Sequence, residues 1–335
     1  MILEVDKLQI HYSTRDGVAR AVDGASFVVP EGRIVGLVGE SGCGKTTAVR
    51  AIMGVLAENG RQAGGRIVFK GQTMDEATTR KLRWRDIAYV PQSAMSSLDP
   101  VYTVGSQLIE VLTKRGGASR SVARARSVEL FDLVGLNERR LADYPHQFSG
   151  GMRQRAAIAI ALALEPSLLL ADEPVTALDV IVQRQILDVL RSLQQRLNIS
   201  MVLVTHDISV VAYLCDEVVV MYAGQVVESG PVREVLARPR HPYTMGLRNA
   251  FPDLLSDALE LVPIAGSPPD LREQLSGCRF VPRCPFAQPA CSLDTVMNGS
   301  GAHRSACRRD NEADTLRTAA LDPRTWQRSS SFAMS

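Results

Sequence analysis

Two short glycine segments carry the chemistry of this chain. Gly39-Glu40-Ser41-Gly42-Cys43-Gly44-Lys45-Thr46 is a complete G-x-x-x-x-G-K-T phosphate loop. Backbone N–H groups of such a loop, and of the helix that follows, attract a polyphosphate. Gly39, Ser41, Gly42, Gly44, Lys45, Thr46 and Thr47 are therefore candidate phosphate contacts. Lys45 reaches the outer phosphates, and the Thr46 hydroxyl ligates Mg²⁺. The second segment, Phe148-Ser149-Gly150-Gly151-Met152-Arg153, puts a Ser-Gly-Gly turn at a helix start. There it could serve a phosphate held by another protein surface, which makes the chain half of a nucleotide-driven clamp. A third cluster, Asp172 and Glu173, follows the apolar stretch 168–171, at the strand end where α/β folds bind ligands. Asp172 can hold Mg²⁺, directly or through water, and Glu173 can polarise an attacking water as general base.

These groups need strands and helices to aim them. The apolar run Ile34 to Val38 leads straight into the loop, and Thr46 to Leu56 reads as the helix after it. Residues 2–10 and 25–29 suit strands, and 167–171 and 200–204 look like buried parallel strands. Between those two, Ile181, Ile186, Val189, Leu190, Leu193 and Leu197 recur at helical spacing and predict a crossover helix. Residues 217–222 and 225–228 flank Ala223-Gly224 as a hairpin. Beyond Pro239, prolines punctuate a poorly periodic segment, which places the end of the compact domain near residue 250. The tail after about Arg308, ending in Ser329-Ser330-Ser331, reads as disordered.

The 335 residues hold one large α/β domain plus a small appendage. A net charge of +2 gives no global reason to expect nucleic acid or an anionic membrane as partner. No run approaches the ~20 apolar residues that span a bilayer. No basic-then-apolar leader opens the chain, so a cytoplasmic location with reduced thiols is expected.

The ordered set of motifs resembles the ATPase subunit of an ATP-binding cassette (ABC) transporter: Gly39 to Thr46, Gln92, Ser149-Gly150-Gly151, Asp172-Glu173, Asp179 and His206. That resemblance covers roughly residues 1–250. It implies a RecA-like parallel sheet core with antiparallel β and helical subdomains. It also implies that Tyr12 stacks on adenine, that Gln92 senses Mg²⁺ and the attacking water, and that His206 contacts the γ-phosphate. Thr176 to Asp179 would communicate between two ATP sites, and Ser149 to Gly151 would bind the γ-phosphate of ATP held by a partner subunit. Phe148, Met152 and Val175 depart from the commonest pattern of the family without removing a catalytic group. Cys43, at a helix N-terminus, is a loop residue whose thiol pKa that position could lower.

Flanking segments narrow the resemblance. Ser97-Leu98-Asp99-Pro100-Val101, His241-Pro242-Tyr243-Thr244 and the stretch Cys278 to Cys284 resemble the peptide and nickel importer branch, most closely the D-type subunit of an oligopeptide or dipeptide permease. This implies ATP-driven peptide import from the cytoplasmic face of the membrane, with nickel import or a soluble ABC ATPase as alternatives. The implied partners are a second, distinct ATPase chain, two transmembrane permease subunits docked around residues 93–110, and indirectly an extracytoplasmic substrate-binding protein. Residues 251–335 form the Cys-rich appendage, where Cys278, Cys284, Cys291 and Cys307 suggest metal ligation. Their gaps do not fit the C-x₂-C knuckles common for zinc or the spacing of bacterial ferredoxins. Irregular spacing among prolines is compatible with a Cys₄ [4Fe–4S] cluster, which the permease resemblance favours over Zn²⁺ or free thiols. His303 is a possible substitute ligand, and Cys215 reads as a buried apolar residue.

Overall fold

The computed structural model describes residues 1–92, 97–176, 178–250, 263–299 and 301–327. Strands β1 (Leu3–Thr14), β2 (Gly17–Val29), β3 (Ile34–Val38), β4 (Gly60–Phe69), β5 (Gln72–Thr73) and β6 (Ile87–Val90) come first. They are followed by β7 (Leu168–Asp172), β8 (Ser200–Thr205), β9 (Glu217–Tyr222), β10 (Gln225–Pro231) and β11 (Arg304–Ser305). Helices α1 (Lys45–Met53), α2 (Glu76–Leu82), α3 (Val104–Glu110), α4 (Arg120–Leu133), α5 (Gly150–Ala161) and α6 (Val180–Leu197) are joined by α7 (Ile208–Leu214), α8 (Val232–Ala237), α9 (Pro242–Asn249), α10 (Ala313–Ala320) and α11 (Pro323–Trp326).

Two sheets result. One is antiparallel, in the order β2-β1-β4-β5; the other runs β11-β10-β9-β3-β8-β7-β6. Strands β9, β3, β8, β7 and β6 pair in parallel, and β10 and β11 add to one edge antiparallel. Every residue of β3, β7 and β8 is buried, as expected for parallel strands covered on both faces. Their continuous apolar runs hide the alternation that marks β1, whose inner face is Leu3, Val5, Leu8 and Ile10. One core lies between the two sheets around α1, and a second packs α3, α4 and α5 under the parallel sheet.

A third core corrects one expectation. The residues after Arg308 are not disordered as far as they are described. α10 buries Ala313, Leu316 and Ala320, and α11 buries Trp326, whose indole N–H donates to the Ala320 carbonyl at 2.8 Å. Leu316, Ala320 and Trp326 share a cluster with Tyr222, Tyr243, Leu247 and Phe280. The serines at 329–331 lie outside the described residues. None of the described helices is long and apolar enough to cross a membrane.

Candidate functional site

The loop 39–44 turns between β3 and α1 through three left-handed glycines, Gly39, Gly42 and Gly44. At Gly39 a Cβ would lie 2.1 Å from the Met221 carbonyl oxygen, and at Gly44 2.3 Å from that of Ala21, so side chains are sterically excluded there. Gly44 caps α1 without a side-chain hydrogen bond, which leaves the first N–H groups of the helix free for an anion. Lys45 is buried, and its Nζ donates to the carbonyls of Gly39 (2.7 Å) and Glu40 (2.9 Å). Cys43 differs from expectation. Burial outweighs Lys45 and pushes the thiol up rather than down.

At the end of β7, Asp172 accepts from the Thr46 hydroxyl and from the Tyr89 hydroxyl, each at 3.0 Å. Burial raises its pKa, and these two hydrogen bonds only partly oppose that. Tyr89 is raised to about 12 by its own burial and by the Asp172 charge. A Mg²⁺ ion fits this geometry, because a carboxylate short of solvent and a hydroxyl already face each other across the loop.

Glu173 is the meeting point of the remaining groups. Its backbone sits in the left-handed region at φ 48°, which turns the carboxylate away from β7. Gln92 Nε2 donates to it at 2.9 Å, the Thr176 hydroxyl at 2.9 Å, and His206 Nδ1 lies at 3.1 Å. Burial works against its charge, but the hydrogen bonds from His206 and Thr176 outweigh it, and its pKa falls below the usual range. Sequence reasoning placed Gln92, Glu173 and His206 in one site, and three different strand ends bring them together. Thr176 is expected only as part of the communicating loop Thr176 to Asp179; its spacing three residues after Glu173 is the signal that it also orients the base.

Ser149 caps α5, accepting from the Met152 N–H at 3.3 Å, and Asp179 caps α6, accepting from the Val182 N–H at 2.9 Å. Gly151 packs where a Cβ would lie 2.4 Å from Val182, so the two helix starts abut. Among the described residues no hydrogen bond ties Ser149, Gly150 or Gly151 to the phosphate loop. Beside Asp179, Val180 and Ile181 are 80% and 72% exposed, an apolar edge left bare by the described residues. Tyr12 lies on β1 opposite Gly60, half-buried. Of residues 93–110, those before 97 lie outside the described residues. The remainder flanks a groove of about 740 Å³ that includes Trp84, Tyr89, Leu98 and Tyr102.

In the tail, all four cysteines are free and line one small cavity with His241, whose Nε2 lies 3.9 Å from Cys278 Sγ. Burial raises Cys278 to about 11 and Cys307 to about 12, and pushes Cys284 up further. Among the described residues no three His, Cys, Asp or Glu side chains form a group that could hold a metal ion. His303 is not placed to substitute for one of the thiols. Its Nε2 pairs with the fully buried Glu228 at 2.7 Å, a carboxylate that also accepts from the N–H groups of Arg240 and His241. Burial lowers the pKa of His241 to about 3, so that side chain is neutral. Cys215 is half-buried against Gly36 and Val211.

Comparison with known proteins agrees with this geometry. The family described as "ABC transporter" matches residues 22–176, and "Oligopeptide/dipeptide transporter, C-terminal region" matches residues 227–291. The oligopeptide transport ATP-binding protein OppD of Salmonella typhimurium is 45% identical over 87% of this chain and 88% of its own length. The dipeptide transport ATP-binding protein DppD of Escherichia coli is 43% identical over 88% and 91%. A probable peptide ABC transporter ATP-binding protein of Sinorhizobium fredii is 43% identical over 94% and 97%. A dimeric ATP-binding cassette solved in a post-hydrolysis state with ADP and Pi superposes with a TM-score of 0.61 at 28% identity, covering 69% of this chain and 99% of that one.

Proposed function

The chain belongs to the ATP-binding subunits of ABC transporters, in the oligopeptide/dipeptide branch, and from that premise we propose that it hydrolyses ATP to power peptide import. The single observation that carries the catalytic part is the convergence of Gln92, Thr176 and His206 on Glu173, beside Thr46 and Asp172. Peptide as cargo is supported by the relatives' names and by the match of the 227–291 segment.

ATP binds with its phosphates on the loop 39–46 and the α1 N-terminus, Lys45 turning from the loop carbonyls to the outer phosphates. Tyr12 stacks on the adenine. Thr46, Asp172 and Gln92 would hold Mg²⁺, which would supply positive charge to offset that of the phosphates. Glu173, kept ionised by its donors, accepts the proton of the attacking water, while His206 contacts the γ-phosphate. Ser149 to Gly151 serve the ATP of a second, similar ATPase subunit. The bare apolar edge at Val180 and Ile181, next to Asp179, supports such a dimer. Tighter ATP binding in the closed pair shifts the open–closed equilibrium, and hydrolysis releases it. The groove beside Leu98 and Tyr102 receives the membrane permease subunits, which hold the chain at the cytoplasmic face.

The four tail thiols line one small cavity, which supports a shared Cys₄ site, and the permease resemblance favours a [4Fe–4S] cluster over zinc there. Cys278, Cys284, Cys291 and Cys307 would hold the cluster, which would cross-link a segment poor in regular structure. Co-expression with the permease subunits tests the whole reading. The expected result is co-purification and ATP-dependent uptake of a labelled oligopeptide into proteoliposomes; failure to associate with any membrane protein would overturn it.

A further inference from the structure

The tail reaches the phosphate loop through one guanidinium. Arg283, between Cys278 and Cys284, grips the Glu40 carboxylate bidentately, NH1 to Oε2 at 2.7 Å and NH2 to Oε1 at 3.0 Å. Its other donors go to the Tyr222 hydroxyl (3.3 Å), the Ile264 carbonyl (3.2 Å) and, from Nε, the Ala265 carbonyl (2.9 Å). All five N–H groups of the guanidinium are thus used, and the side chain is 5% exposed, so its fork is fixed before any nucleotide arrives.

Glu40 is held on two further sides. Its backbone N–H donates to the Tyr243 hydroxyl at 2.8 Å, and its carbonyl accepts from Lys45 Nζ. Tyr243, Tyr222 and Phe280 pack against one another in tilted and edge-to-face contacts with centroids 4.6 to 5.4 Å apart, which makes the support rigid. A second strut runs parallel to the first. Arg279 pairs with Asp23 and donates to the Ala223 carbonyl, and the next residue, Gly224, donates its N–H to the Cys43 carbonyl in the loop.

We propose that Arg283, with Tyr243, is a positioning residue for ATP binding: it fixes the second residue of the phosphate loop so that the loop N–H groups stand ready for the phosphates. The tail thereby sets nucleotide affinity without touching the nucleotide. This rests on the ATP site proposed above and requires no metal in the tail.

A double-mutant cycle on the purified full chain, read by equilibrium binding of a fluorescent ATP analogue, tests it. Arg283→Met and Glu40→Gln are each expected to raise Kd about tenfold, and the pair together no more than either alone. Arg283→Lys should recover part of the loss, and, once the partner ATPase subunit is added, saturating ATP should restore turnover, a KM rather than kcat effect. Glu40→Gln lies outside the tail, so it keeps the test sound if Arg283→Met folds poorly. An unchanged Kd in Glu40→Gln, or additive losses in the pair, would overturn the proposal. Absence of ATP binding by the unmodified chain would instead sink the ATP site itself.

Discussion

The nucleotide site and the cysteine tail meet their charges in opposite ways. At Glu173 three donors outweigh burial and hold the carboxylate ionised below its usual pKa. Around the tail cavity burial outweighs the backbone N–H groups of Phe280, Val281, Phe286 and Arg309, and the thiols of Cys278, Cys284 and Cys307 are pushed up and held protonated. The first site is electrostatically complete before its substrate arrives. The second is held as neutral thiols, and under the proposed cluster reading a metal would have to supply the positive charge that makes them ligands. Preorganised donors suit a site that must act in every cycle.

The contrast can be broken most sharply at Glu173. Replacing it by Gln should lower steady-state hydrolysis by about 10²- to 10⁴-fold, the range for losing a general base, with ATP binding retained. Undiminished phosphate release would show that the preformed carboxylate is not the base.

For the tail, the raised thiols predict a pH dependence. With Cys278 at about 11, the metal-free protein presents roughly one thiolate in a thousand at pH 8. Its alkylation rate, followed by mass spectrometry, should climb about tenfold per pH unit from 8 to 10. A plateau below pH 9 would mean that something in the tail already stabilises the thiolate.

A smaller effect separates the regions by stability. Cys284→Ser should lower Tm by on the order of 5 °C in metal-loaded protein and abolish any bound iron, while Glu173→Gln leaves Tm within about 1 °C. Equal Tm losses would erase the distinction between a substrate site and a structural one.

The two regions also differ in how far the sequence exposes them. The phosphate loop is contiguous, and its strand and helix follow from one apolar run and one periodic segment, so β3 and α1 were readable to within a few residues. Glu173 is legible from the buried strand that it follows, and His206 partly so, whereas Gln92 is legible only through the resemblance to the ABC ATPases. The tail was not legible. Arg283 acts on a residue 243 positions away, and Glu228 claims His303 across 75, distances at which local spacing carries no information. α10 was missed because its apolar face is small, Ala313, Leu316 and Ala320, although their i, i+3, i+7 spacing was a helical signal.

The central claim is that one chain does not complete a catalytic site, since Ser149 to Gly151 serve the neighbouring ATP. Titrating the partner ATPase subunit into this chain and measuring phosphate release per chain tests it directly. The account predicts turnover that starts near zero and rises to a plateau at one partner per chain. Full turnover from the dilute, isolated chain, unchanged by the partner or by protein concentration, would contradict it.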